Sequence, residues 1–514
     1  MIPIVVGMPP PLTTALVHDS SRRVRLVLGA LMLALLLAAL DQTIVATALP
    51  TIVGDLGSVS SLSWVVTAYL LASTVVLPLY GKLGDLYGRK AVLQTAIVIF
   101  LAGSALSGLS GNMTELIAFR AVQGLGGGGL LVVTIAAVGD VVPPRDRGRY
   151  QGYFGGVFGV ATVVGPLLGG LFVDSLSWRW IFYVNLPIGI VTFAVIASVF
   201  RARTDRVAHR IDYLGAVLLG SGLAAVVLYT RLGGTSHPWG SAPMLTLLGA
   251  AVVLLAGFLW AETRAAEPLL PLGLFRNRVF SVTSAMGFIV GLGMFGAITF
   301  VPLYLQDAKG HSPTVSGLLM TPMMAGVLLA SILSGNLISR FGSYGPFPIV
   351  GTALMAVGLL LLSGLQVDTS PWSAAGRMVV LGLGLGSVMQ VLILAAQNAV
   401  DAGHLGVVTS GSVLFRQVGG SIGVSVFGAV FARSLASNLA GDLPPGTAAP
   451  TATDPAAIGH LPASVREVYA TALTASIRPI FLIAAVLVIV AFAHAWVLPE
   501  RPLRATAPGD GAGR

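Results

Sequence analysis

The chain contains fourteen apolar runs, each close to the ~20 residues that an α-helix needs to cross the hydrocarbon core of a bilayer. They fall near 26–49, 62–80, 91–110, 114–138, 150–173, 179–200, 212–231, 242–262, 279–304, 315–338, 346–366, 373–399, 407–432 and 477–497. A backbone in hydrocarbon must satisfy its own hydrogen bonds, so it crosses as helices or as a closed barrel. These runs are continuous rather than alternating, which excludes a porin-like barrel. Only 10% of the 514 residues are charged, too few to cover a soluble protein of this size, where about 25% is usual. The expected fold class is an all-α polytopic membrane protein with 14 transmembrane helices. The first run is too long for a cleaved signal peptide, and further spans follow it.

The formal net charge of +9 would suggest nucleic acid in a soluble chain. Here it reads as topology. With the N-terminus inside, twenty of the 29 basic residues fall in cytoplasmic segments and seven on the opposite side, while Arg120 and Arg416 lie within spans. A wrong span count would blur that asymmetry. The expectation is a multi-pass protein of the plasma membrane with both termini cytoplasmic, working as a monomer without nucleic acid. Cysteine is absent, so no disulfide, zinc-thiolate site or thiol nucleophile can form. The seven His residues have no metal-ligand spacing, and no metal or cofactor is expected.

A repeat organises the spans. Gly81-Lys82-Leu83-Gly84-Asp85-Leu86-Tyr87-Gly88-Arg89-Lys90 lies between spans 2 and 3, and Gly335-Asn336-Leu337-Ile338-Ser339-Arg340-Phe341-Gly342 between spans 10 and 11. Both read G-x-L-x-x-x-x-G. Two such halves are expected of a secondary transporter with its substrate site between them near mid-membrane. The domains predicted are a tail (1–25), an N-terminal six-helix bundle (26–200), a linker with inserted helices 7 and 8 (201–278), a C-terminal six-helix bundle (279–498) and a tail (499–514). Residues 433–476, rich in Ala, Pro, Thr and Asp, read as an external loop within the second bundle.

Residues 81–90 resemble the loop 2–3 motif of the major facilitator superfamily. Leu40-Asp41-Gln42-Thr43-Ile44-Val45 through Ala48-Leu49-Pro50 is similar to the span 1 motif of its 14-span drug:proton antiporter branch, the EmrB/QacA type. Trp178-Arg179-Trp180-Ile181-Phe182-Tyr183-Val184-Asn185-Leu186-Pro187-Ile188-Gly189 is similar to that branch at span 6. Arg120-Ala121-Val122-Gln123-Gly124 resembles the family's span 4 motif. Gly165-Pro166-Leu167-Leu168-Gly169-Gly170 resembles the span 5 motif associated with antiporters, and Phe415-Arg416-Gln417-Val418-Gly419-Gly420-Ser421-Ile422-Gly423 the span 13 pattern. The resemblance covers about residues 25–500. It implies a major facilitator fold and efflux of small amphipathic compounds in exchange for protons. Multidrug or antibiotic export, dedicated export of one natural product and lipid export all remain open, with a non-transporting receptor or scaffold as the remote alternative.

Asp41 is the one carboxylate well inside a span as drawn. An acid at the centre of a spanning helix costs ~2.5–3.5 kcal/mol on insertion scales, so a partner or a function is the default. Asp41 in span 1 and Arg120 in span 4 lie about 9–12 Å below the outer surface at 1.5 Å per residue. They can meet if their helices are neighbours. A fixed ion pair would specify packing alone, whereas a pair that separates would switch the proton affinity of the carboxyl. One proton crossing 100 mV supplies about 2.3 kcal/mol, enough for roughly 50-fold accumulation of a neutral solute.

Arg416 sits too deep for easy snorkelling and suggests a cavity role. With no acid in spans 9–14 as drawn, it favours anionic or neutral substrates. Asp85, Arg89 and Asp140 resemble the family's charge relay at the cytoplasmic ends of spans 2–4, a conformational latch. Ser339 replaces the acid in the second copy, so a latch there must be built differently. Gly165 and Pro166 suggest a hinge or a seal against leak. Tyr69, Gln123, Tyr304, Gln306, Gln390, Gln397 and Asn398 are candidate cavity-lining residues alongside Arg416.

Enzyme readings fail. Gly124-x-Gly126-x-x-Gly129 fits a dinucleotide fingerprint but follows no strand, so helix packing through small residues explains it better. Gly419-Gly420-Ser421-Ile422-Gly423 fits G-x-S-x-G, yet no nucleophile elbow can form within a span. No phosphate-binding G-x-x-x-x-G-K-[ST] loop exists for an ATP-driven pump.

Overall fold

The computed structural model describes residues 13–57, 62–200, 212–233, 237–442 and 463–503. The first half runs through α1 (Thr13–Leu56), α2 (Leu62–Tyr87), α3 (Arg89–Leu109), α4 (Met113–Val141), α5 (Pro144–Ser175), α6 (Trp180–Tyr183) and α7 (Asn185–Val199). The inserted pair is α8 (Tyr213–Leu232) and α9 (Ala242–Glu262). The second half is α10 (Arg278–Leu303), α11 (Pro313–Leu319), α12 (Thr321–Phe341), α13 (Pro346–Ser363), α14 (Pro371–Asn398), α15 (Leu405–Asp442) and α16 (Ala463–Ala495). Among the described residues fourteen segments are long and apolar enough to cross a membrane. For orientation, the end holding the α2–α3 turn is called the basic face.

Each half packs through the same pairings. α4 lies against α2 and α3, and α1 against α5 and α7; α14 lies against α12 and α13, and α10 against α15 and α16. Lipid supplies no hydrophobic drive between helices, so close approach at small residues does the work. In α4, a Cβ on Gly124 would strike the Tyr69 backbone of α2, and one on Gly126 the Phe100 backbone of α3. The glycine pattern there is a packing device. The inserted pair packs on itself, with α8 against α2 and α15. Its outer part leaves a cavity of about 550 Å³ between α8, α9 and α15, lined by Tyr229, Trp239, Leu248 and Val426 among others.

The repeated motif has a physical explanation in both halves. Its last glycines, Gly88 (φ 86) and Gly342 (φ 73), take left-handed conformations that end α2 and α12. Its first glycines are crossing points between the halves. A side chain on Gly81 would meet the Gly406 carbonyl and Ser410 of α15, and one on Gly335 the Gly148 backbone of α5. α2–α15 and α5–α12 therefore touch backbone to backbone, and the basic face is closed.

Several expected boundaries move. Span 6, drawn as one helix over 179–200, is α6 and α7 joined at Val184, because Pro187 has no N–H to give the Tyr183 carbonyl. Span 10, drawn over 315–338, breaks at Met320, where Pro322 leaves the Leu318 carbonyl without its helical partner. Span 9 continues past 304 as a π-turn, Tyr304–Ala308. That turn brings Asp307 in, 7% exposed, so the second half does hold a buried acid that the drawn spans left outside. The external loop expected at 433–476 is shorter: α15 continues to Asp442 and α16 starts at Ala463. Alanine-rich sequence at both ends sustains the helices past the hydrocarbon. Residues 443–462, the 201–211 connection, residues 1–12 of the first tail and all but the start of the last lie outside the described residues.

Candidate functional site

Asp41 and Arg120, two buried charges of the first half, meet in one cluster. Arg120 Nη1 donates to Asp41 Oδ2 at 2.6 Å and to Gln123 Oε1 at 2.7 Å. Gln123 Nε2 donates to Asp41 Oδ1 at 2.7 Å, and Asn185 Nδ2 to the same oxygen at 3.1 Å. Ser104 Oγ accepts from Gln123 (3.1 Å) and Asn185 (3.0 Å), then donates to the Phe182 carbonyl (2.9 Å). The Arg120 guanidinium lies over the Tyr69 ring, 4.4 Å from its centroid, and its Nε donates to the Val65 carbonyl. Asp41, Gln123, Asn185 and Ser104 are 0% exposed and Arg120 1%. Residues of six helices, α1 to α4, α6 and α7, thus contribute to the cluster, and α4 and α7 bond the carboxylate directly. The interruption at Val184 starts α7 at Asn185, which places this amide beside Asp41. Both charges are paired and each makes further hydrogen bonds, the condition under which a buried ion pair is tolerated.

The glycines of α5 bear on the same helix. A side chain on Gly165 would collide with Thr43, two residues from Asp41, and Thr43 Oγ1 donates to the Ala161 carbonyl at 2.9 Å. α5 runs unbroken through Pro166.

A second cluster closes the basic face. Arg89 donates to Asp85 Oδ1 (2.5 Å) and Asp140 Oδ2 (2.7 Å). The Asp85 carboxylate also accepts the backbone N–H groups of Gly406 and Val407, both at 2.9 Å, at the start of α15 in the other half. A negative charge on a helix N-terminus is favourable. The counterpart is inverted: Arg145 of α5 donates to the Ser339 and Arg340 carbonyls (3.0 and 3.3 Å) at the C-terminal end of α12. Where Ser339 replaces the acid, the main chain of the same turn makes the contact instead. A third link is fully buried, with Gln151 Nε2 donating to Gln397 Oε1 (2.9 Å) and Gln397 Nε2 to Thr409 Oγ1 (2.8 Å).

The family model described as Major Facilitator Superfamily matches residues 31–424. The chain belongs to that superfamily. It is 46% identical over 482 residues to an uncharacterized MFS-type transporter of Mycobacterium tuberculosis, covering 94% of this chain and 70% of the relative. It is 44% identical over 415 residues to the multidrug transporter protein MdtP of Bacillus subtilis, covering 80% and 76%. Among solved structures, the proton:xylose symporter XylE superposes with a TM-score of 0.62 at 14% identity, covering 94% of this chain and 98% of that one. At that identity the likeness is one of fold. The chain is thus a membrane transporter of the superfamily and not an enzyme.

Other sequence-predicted residues of this facilitator are scattered. Tyr69 and Gln123 belong to the Asp41 cluster. Tyr304 is 1% exposed and donates its hydroxyl to the Gln366 carbonyl at 2.7 Å. It and Gln306 sit in the π-turn at the face opposite the basic one, away from the Asp41 cluster. Gln397 is in the interhalf link, and Asn398 donates to the Arg501 carbonyl at the basic face, so neither lines a mid-membrane cavity. Gln390 lies where α14 approaches Gly155 of α5, its Oε1 buried without a hydrogen bond. Arg416 is buried in α15 against Gly291 of α10. Sequence reasoning missed Ser104, Asn185, Arg145 and Gln151. Asn185 and Ser104 stood out only as polar residues inside apolar runs, with no sign of their partners.

Proposed function

We propose that this protein is a proton-coupled exporter of small amphipathic compounds, of the 14-span EmrB/QacA type, placed in the plasma membrane with both termini cytoplasmic. The observation that carries the reading is the Asp41 carboxylate, buried and held by Arg120, Gln123 and Asn185 from two other helices. The names of its multidrug relatives support export.

In this account the ionised Asp41 holds α1, α4 and α7 together through charge-assisted hydrogen bonds, each worth about 1.5–3 kcal/mol. Protonation removes the charge that Arg120 faces and weakens the clasp. Arg120 retains the Val65 carbonyl, Gln123 and the Tyr69 ring, so the cation keeps favourable contacts when the carboxyl is neutral. α1 can then move against α5 at the Thr43–Gly165 crossing. The Asp85–α15 and Arg145–α12 contacts hold the cytoplasmic side shut while the site is open outward, and they part when access alternates. Exchange of proton for substrate needs only that the two compete for the state in which Asp41 is ionised.

The test is substrate-evoked proton release from inside-out vesicles energised acid inside, across a panel of neutral, anionic and cationic amphiphiles. Release by a subset, lost in Asp41→Asn, supports antiport. Transport of a compound with no proton movement overturns it.

A further inference from the structure

Arg416 is a buried cation without a counter-charge. It lies eleven residues past the start of α15 at Leu405, about 16 Å along the axis and near the middle of a ~30 Å hydrocarbon core. It is 9% exposed. Among the described residues no hydrogen bond or ion pair engages its guanidinium, and no carboxylate is close enough to act on its charge. Arg120, 1% exposed, has Asp41. An unpaired buried charge costs several kcal/mol, and Arg416 is too deep to snorkel to either surface.

Its surroundings explain how the site is held and what it lacks. α15 is pressed onto α10 where Gly291 has no side chain, which fixes the Arg416 backbone. α10, packed on α15, brings a buried hydroxyl with no hydrogen bond, Ser284 Oγ, a group that can donate to an anion. It lies about 9 Å from the basic-face end of α10, against about 16 Å for Arg416 along α15. The second half therefore keeps an uncompensated positive charge at the depth where a transporter of repeated halves binds its cargo.

We propose that Arg416 anchors an anionic group of the transported molecule, so that the cargo class is an apolar body bearing a carboxylate, phosphate or sulfonate. A planar guanidinium pairs such oxyanions through two parallel N–H bonds, and the bound anion supplies the missing counter-charge. The inference rests on the exporter reading for its cargo and adds the cargo's charge.

The experiment measures binding of three matched probes to purified protein in nanodiscs: naphthalene-2-carboxylate, its neutral N-methylamide, and 2-naphthylmethylammonium. The wild type should bind the carboxylate about tenfold or more tighter than the amide, with the ammonium weakest. Arg416→Lys should keep part of that preference. Arg416→Met should lose it with the amide affinity unchanged, and should unfold at the same or a higher temperature, since it removes an uncompensated charge. A lower unfolding temperature with equal loss of all three probes would mark a structural residue and overturn the proposal, as would wild-type preference for the ammonium. Proton release is not read here. A carboxylate preference that follows Arg416 stands even where no probe moves protons, and antiport of neutral compounds stands even where the preference fails.

Discussion

Asp85 Oδ1 accepts the backbone N–H of Gly406 at 2.9 Å, joining residues 321 positions apart and tying the first half of the protein to the second. Arg145 does the reverse job on α12, a cation on carbonyl oxygens. The two contacts match charge to opposite helix ends. Each sits beside a glycine crossing, Gly81 with Gly406 and Gly335 with Gly148. Closure of the basic face thus has a backbone part, set by glycine, and a charged part.

Asp85→Asn removes the charge and one of two acceptors for the α15 N–H groups. Each charge-assisted bond lost is worth about 1.5–3 kcal/mol, so the closed state should lose most of its advantage. The chain has no cysteine, so Ser410→Cys, buried at this crossing, gives a unique reporter. Its thiol should react at least tenfold faster in the Asp85→Asn background, and an unchanged rate would show that the carboxylate does not hold the face shut.

Gly335→Val should push α12 from α5, because the Gly148 backbone occupies the place of its side chain. Overpacking typically costs about 1–3 kcal/mol. Gly317→Val, facing open space, is the control. Distances between spin labels across the basic face should lengthen in the first variant and not in the second.

Arg120→Gln should destabilise the protein by about 3–5 kcal/mol by leaving a buried carboxylate without its cation. Asn185→Leu should cost about 1–3 kcal/mol, since Asp41 and Ser104 each lose one donor. Chemical unfolding at pH 7 compares them, and equal losses would contradict the view that the ion pair dominates the cluster.

The last described segment is pinned at the basic face by Tyr344, whose hydroxyl donates to the Pro499 carbonyl (3.0 Å) and accepts the Arg501 N–H (2.9 Å). Glu500 Oε1 takes the Tyr344 N–H at 3.1 Å. Burial pushes the Tyr344 phenol up from its ordinary value, so its neutral form is the one folded in. That contribution is complete below the unfolded value of about 10 and is lost as pH rises through the raised one. A nitroxide on Leu503→Cys should gain mobility above about pH 10, and the pH dependence should vanish in Tyr344→Phe.

The fourteen spans were legible because unbroken apolar length is a property of local sequence. So was the Asp41–Arg120 pairing, since helix rise converts sequence position into depth. Asn185 and Ser104 were not, because single polar residues in apolar runs declare no partner until the helices are assembled. The role of Gly81 and Gly335 was half legible: the repeat showed, but the Gly406 and Gly148 backbones it accommodates are distant in sequence. Asp307 escaped because hydropathy gives no sign of the π-turn that draws it inward.

The central claim is that Asp41 carries the coupled proton. The most direct measurement is proton release from purified, weakly buffered protein on addition of a transported compound, read with a pH indicator and compared between wild type and Asp41→Asn. The account predicts stoichiometric release from the wild type at the acid end of a series of starting pH values and none from Asp41→Asn, with binding retained. Equal release from both, or none at any starting pH from a wild type that binds the compound, would contradict it.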